Sequence, residues 1–123
     1  MTDAISIERT LTQDEFLRFA ALSGDDNAIH VSPEFAARTR FGRTVAHGVF
    51  LLSILRGLAD QLLPGARQIS QKAMFPAPTY AGDQMVFTAT VSGRNEHGVE
   101  ITMSAVRRAD EMITCEALAV FAP

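Results

Sequence analysis

The chain predicts an α+β fold in which an antiparallel sheet curves around one long helix. Three observations carry this expectation. A long apolar run, Val49 to Leu63, occupies the middle of the chain and stops at Pro64-Gly65. Beyond it the sequence reads as strands and turns. The apolar run is hydrophobic nearly all round, interrupted by Ser53, Arg56 and Asp60 on one face. Such a helix must be wrapped, and the four or five antiparallel strands that remain are the material to wrap it.

The elements follow in order. Ile5 to Thr10 is a short extended segment. Thr12 followed by Glu15 forms a capping-box pattern and opens a helix through about Leu22, with Phe16, Leu17, Phe19 and Ala20 as its apolar face. Ser23-Gly24 ends that helix, and a polar loop runs to His30. Ser32-Pro33 starts a second, short helix from Glu34 to about Arg38, with serine as cap and proline in the first turn. A loop through Phe41-Gly42 reaches Val45-Ala46-His47-Gly48 at the mouth of the long helix. Arg67 to Phe75 is mixed in character, and Pro76 and Pro78 confine the next segment to an edge or bulge. Gly82-Asp83 is a turn. Gln84 to Val91 alternates, turns at Asn95-Glu96-His97-Gly98 and returns through Val99 to Arg108. Asp110-Glu111 turns again into Ile113 to Phe121. The short helices are expected outside the sheet, as a flap near the start of the long helix.

Composition narrows the function. The 123 residues suggest one domain, 1–123, able to bury about two-thirds of its unfolded surface without a disulfide or metal staple. Hydrophobic residues make up 47% and supply a core. The net charge of -3, with acids and bases interspersed, argues against nucleic acid as a partner. The single Cys115 can form neither an internal disulfide nor a cysteine metal cage and reads as a buried, inert thiol. The opening MTDAISIERT has no basic or apolar leader character, so the cytoplasm is the expected compartment. The Val49–Leu63 run is too short to span a bilayer, which predicts no membrane association.

Two features carry chemistry. Asp25 and His30 lie five residues apart in one loop, with Asn27 between them. A carboxylate and an imidazole held together can share one water and move protons near neutral pH. A paired carboxylate also fixes the imidazole tautomer. Asn27 can orient either partner or brace the loop through an Asx-turn. The same string is also a run of turn formers, a bland reading that spacing alone does not displace. The second feature is His47-Gly48. The first N–H groups of a helix lack internal partners and suit an oxyanion, and a glycine there leaves room for a ligand. A packing glycine is the competing reading. A metal site of Asp25, His30 and His47 matches no helical or hairpin ligand spacing. Asp26, next to Asp25, is expected to point elsewhere, and His97 to be solvated. Arg107-Arg108 reads as a strand end facing water, with a nucleotide phosphate as a second option. Arg56 and Asp60 are spaced to pair along the helix, or to face a partner subunit.

Taken together, Leu22-Ser23-Gly24-Asp25-Asp26-Asn27-Ala28-Ile29-His30, Ser32-Pro33-Glu34-Phe35-Ala36, Phe41 to Gly48 and Phe75 to Asp83 resemble the MaoC-like family, the (R)-specific enoyl-CoA hydratases and related dehydratases of the hot-dog fold. The resemblance covers about Phe16 to Asp83. It implies a hydro-lyase that adds water to a trans-2-enoyl-CoA and yields an (R)-3-hydroxyacyl-CoA. Asp25 and His30 would hold the water, the Gly48 N–H would bind the thioester carbonyl, and Asn27 and His47 would support them. It implies no metal or redox cofactor, an acyl-CoA substrate, and a homodimer joined edge to edge. The same chemistry on an acyl-carrier-protein thioester, a hot-dog thioesterase and a non-catalytic acyl-thioester-binding module are the alternatives. Ala28 and Thr44 stand where the family commonly has proline. Arg56 stands where some hydratases carry a small residue, and a cation there is expected to narrow or repolarise the acyl pocket.

Overall fold

The computed structural model describes residues 3–123. The described chain runs β1 (Ala4–Thr10), α1 (Gln13–Ser23), α2 (Ala28–Val31), α3 (Pro33–Ala37), α4 (Gly48–Leu62), β2 (Gln68–Met74), β3 (Gln84–Asn95), β4 (Gly98–Arg107) and β5 (Met112–Phe121). One antiparallel sheet takes up the strands in the order β1-β3-β4-β5-β2. The β1 and β2 strands are its edges, and α4 lies against its inner face.

Local chemistry sets each boundary. The Thr12 side chain accepts from the Glu15 N–H while Glu15 reaches back to the Thr12 N–H, the reciprocal cap expected. Gly24 closes α1 in the left-handed conformation, at φ 83°. Ser32 caps α3 through the Phe35 N–H, with Pro33 in the first turn. The β3–β4 hairpin turns on Glu96-His97, and Asn95 Oδ1 accepts the His97 N–H at 2.8 Å. Gly98 follows because a Cβ there would lie 2.4 Å from the Phe121 carbonyl oxygen.

One element differs from the expected loop. His30 sits on the single helical turn α2, which Asn27 caps by accepting the Ile29 N–H at 3.1 Å. The cap satisfies an orphan donor of a turn too short to hold itself together.

The core lies between sheet and helix. Strand alternation turns Met85, Phe87 and Ala89 of β3, Ile101, Met103 and Ala105 of β4, and Cys115, Ala117, Ala119 and Phe121 of β5 inward. Leu51, Leu55, Leu58 and Ala59 of α4 meet them. The alanines along the middle of the sheet leave space for the helix, and the large residues fill in around it. Register shifts between Val91 and Gly93 and between Ala105 and Val106 bend the sheet toward α4. Cys115 is buried, as expected, and burial raises its thiol to about 11.

The wrapping is one-sided. Val49, Ser53, Gly57 and Asp60 of α4 remain exposed. Arg56 and Asp60 form no ion pair among the described residues. Arg56 instead lays its guanidinium 4.9 Å from the centroid of the Phe121 ring. Candidate ion pairs along one helix compete with any aromatic face that packs on the helix, and here the aromatic face wins.

Leu55 is 0% exposed at the centre of this contact, whereas Leu22 is 85% exposed. Leu55→Ala should destabilise the fold by about 2–5 kcal/mol. Leu22→Ala should stay within about 0.5 kcal/mol of wild type. Urea midpoints with unchanged slopes check both values, and equal effects would contradict the assignment of the core.

Candidate active site

The turn after α1 is built to aim one carboxylate. The Asp25 N–H donates to Ser23 Oγ at 3.1 Å, and Asp25 Oδ1 accepts the Asn27 N–H at 3.4 Å. That contact leaves Oδ2 turned toward His30, 3.8 Å from Nε2. Asn27 therefore braces the loop through its own side chain and backbone. Asp26 is exposed and takes no part in the cavity wall.

His30 is buried, and its ring is held from behind. Nδ1 lies 2.8 Å from the Val45 carbonyl. A carbonyl only accepts, so Nδ1 carries a proton, and the tautomer this selects turns Nε2 toward Asp25 as an acceptor. The main chain is pinned as well, because the Val45 N–H donates to Ile29 O at 3.0 Å. Gln13, which sequence reasoning missed, adds a second clamp. Its Nε2 donates to the His30 carbonyl at 2.9 Å, and its Oε1 accepts from the Thr44 hydroxyl. Only its place in the first turn of α1 hinted at such a role.

His47 caps α4 through its backbone and makes no side-chain cap bond. Its Nε2–H donates to the Asp25 carbonyl at 2.7 Å, which ties the carboxylate-bearing turn to the helix mouth. Its ring stacks on His30 at 3.8 Å between centroids and 22° between planes, with Phe19 on its other flank at 4.9 Å. His47 Nδ1 is buried without a hydrogen-bond partner.

Asp25, His30 and His47 each offer a ligand-type atom within 4.8 Å of the others. The rings do not suit a shared ion. Nearly parallel planes hold their in-plane lone pairs side by side instead of converging.

These groups border a cavity of about 530 Å³. Asp25, His30, His47, Gly48 and the Phe75 to Thr79 segment all line it. Gly48 is the first residue of α4, so its N–H has no partner within the helix. A Cβ on Gly48 would come within 2.9 Å of the Phe75 ring. The glycine thus makes room for an aromatic wall of the cavity, as the packing reading expects.

The Phe75 to Thr79 segment is fastened at several points. The Ala46 N–H donates to Thr79 O at 2.8 Å, and Val45 bridges Tyr80. Arg107 is the correction here, since it does not face water. Its side chain is only 14% exposed, donates to Pro78 O at 2.7 Å and forks onto Asp110. The hydrogen bonds from Arg107 hold the Asp110 carboxyl below its ordinary range. Arg108 pairs with Glu8 across the sheet. His97 is exposed, as expected. Arg56 does not line the cavity, so the expectation that it repolarises the pocket finds no support within this chain.

Removing Gln13 strands a buried Thr44 hydroxyl, which is 3% exposed. Gln13→Ala should therefore cost about 1–3 kcal/mol. Adding Thr44→Val should recover part of that loss, because the unsatisfied donor disappears. Chemical denaturation of the two single variants and the double variant tests the coupling, and strictly additive losses would contradict the clamp.

The chain has relatives among known proteins. The chain is 40% identical over 84 residues to an (R)-specific enoyl-CoA hydratase of Aeromonas caviae, covering 67% of this chain and 63% of that one. It is 38% identical over 79 residues to a 3-hydroxybutyryl-CoA dehydratase of Methylorubrum extorquens, covering 63% of this chain and 50% of that one. The chain thus spans less than two-thirds of the length of these curated relatives. Among solved structures, an (R)-hydratase from A. caviae involved in PHA biosynthesis superimposes with a TM-score of 0.89 at 29% identity, covering 97% of this chain and 92% of that one. The architecture is the hot-dog fold. The profile of the MaoC like domain matches residues 3–113, and the chain belongs to that family.

Proposed function

We propose that the protein is a hydro-lyase that reversibly hydrates a trans-2-enoyl-CoA to an (R)-3-hydroxyacyl-CoA. The observation that carries this reading is the meeting of two unlike groups in one cavity. One is the Asp25–His30 pair, with a free imidazole nitrogen 3.8 Å from a carboxylate oxygen. The other is the unpartnered N-terminus of α4 at Gly48. The names of the relatives support the reaction class.

The proposed steps follow from these positions. Nε2 of His30 and Oδ2 of Asp25 are both acceptors, so a water can donate one O–H to each. The thioester carbonyl takes the Gly48 N–H at the positive end of the helix dipole. As the water oxygen bonds to C3, its proton passes to the His30–Asp25 pair. The π electrons move onto the carbonyl oxygen as an enolate, which the Gly48 N–H stabilises. The pair then returns a proton to C2, and the reverse order gives dehydration. Asn27 and His47 act through Asp25, one by capping the turn behind it and the other by holding its carbonyl. The chemistry calls for no metal or redox cofactor. The reading includes a cytoplasmic homodimer joined at sheet edges. No helix among the described residues is long and apolar enough to cross a membrane.

Asp25→Asn and His30→Ala should each lower crotonyl-CoA hydration by about 10²–10⁴-fold, read as loss of the conjugated enoyl absorbance. Both should keep near-wild-type circular dichroism. The wild-type product should be the (R) enantiomer on chiral analysis. Near-wild-type rates in both variants would overturn the catalytic assignment. Release of free thiol with the double bond intact would favour a thioesterase, and saturable binding without turnover would favour a binding module.

A further inference from the structure

We infer that Arg40 binds a phosphate on the carrier arm of the thioester substrate, an inference that rests on the acyl-thioester reading above. The charged side chains lining the cavity are Asp25 and Arg40. Asp25 is engaged by Asn27 and faces His30. Arg40 is exposed at the rim, and its guanidinium lies 4.9 Å from the centroid of the Phe41 ring, which lines the same cavity. The contact with Phe41 holds the side chain at the mouth and leaves its N–H donors unspent.

Its place sets Arg40 apart, since it is the arginine that lines this cavity, whereas Arg38, Arg56, Arg67 and Arg94, which also lack a carboxylate partner among the described residues, do not line it. Arg9, Arg18, Arg43, Arg107 and Arg108 each have a carboxylate partner. Arg40 has none among the described residues. An enoyl thioester carries no charge at its reacting end, so nothing in the proposed hydration matches a cation at the rim. The carrier does supply the match. Its pantetheine arm leads out of the cavity and ends in phosphate, the group that a guanidinium fork binds in two-point fashion. The chain has a net charge of -3 and would otherwise repel such an anion, so a local cation at the entrance offsets the background field.

The test compares crotonyl-CoA, crotonyl-4′-phosphopantetheine and crotonyl-pantetheine, the last of which has no phosphate. Arg40→Gln should raise KM for crotonyl-CoA about five- to thirtyfold with kcat little changed. It should leave kcat/KM for crotonyl-pantetheine within about twofold of wild type. The wild-type KM for crotonyl-CoA should climb with salt, and the variant should lose that slope. Arg94→Gln, which removes an exposed charge on the β3 hairpin arm, should change neither substrate. A loss with crotonyl-4′-phosphopantetheine assigns the phosphate shared by CoA and carrier proteins. A loss confined to crotonyl-CoA assigns a nucleotide phosphate. Equal losses with crotonyl-CoA and crotonyl-pantetheine, or no loss with either, would overturn the inference. Calorimetric binding of the saturated butyryl-CoA separates it from the hydration reading. Weaker binding to Arg40→Gln, with no turnover of any thioester by wild type, would sink hydration and keep the phosphate contact. Unchanged butyryl-CoA affinity would sink the phosphate contact whatever the turnover.

Discussion

The hydrogen bond from His30 Nδ1–H to the Val45 carbonyl, 2.8 Å long and buried, decides which nitrogen of His30 faces the cavity. If the proton sat on Nε2, the ring would present a donor to Asp25 and could not accept a proton from water. The bond also joins two stretches that the fold brings together from different places. Val45 belongs to the segment entering α4, and His30 to a single helical turn that could not persist alone. The acid–base pair and the helix N-terminus therefore share one support. Movement of Val45 would disturb both.

Around that bond the site is held mostly by backbone groups. Asp25 is fixed at its N–H by Ser23, at its carboxylate by Asn27 and at its carbonyl by His47. The His30–His47 stack, backed by Phe19, limits ring rotation. The Phe75 to Thr79 segment is tied down by Arg107, whose fork on Asp110 leaves one arm for the Pro78 carbonyl. Positioning of this kind matters because proton transfer falls off steeply once donor and acceptor leave hydrogen-bond range. The sheet supplies the rigid frame against which α4 packs, and Gly48 at its start lines the same cavity as His30.

Much of this was legible in the sequence because it is encoded locally. The Thr12–Glu15 box, Gly24, Ser32-Pro33 and the Asn95–Gly98 hairpin act within a few residues, and the elements follow them closely. Asp25, His30, His47 and Gly48 line one cavity, but spacing alone left turn formers and a packing glycine as competing readings, and it was the extended resemblance that joined these residues into one site. What escaped was set by contacts between distant residues. Gln13 reaches His30 and Thr44 across the flap, Arg107 reaches Pro78 across 29 positions, and Phe75 fills the space a Gly48 side chain would need. Arg56 was misread for the same reason, since the partner that displaces Asp60 is Phe121 at the far end of the chain. Periodicity reports which face of an element is apolar and is silent about which residue will meet it.

The central claim is that His30 presents an unprotonated Nε2 to Asp25 while His47 donates from its own Nε2. Long-range ¹H–¹⁵N correlation of the imidazole rings measures this directly, at a pH where both rings are neutral. The expected result is the Nδ1–H tautomer for His30 and the Nε2–H tautomer for His47. An Nε2–H tautomer at His30 would contradict it, because no nitrogen would then be left to take a proton from water.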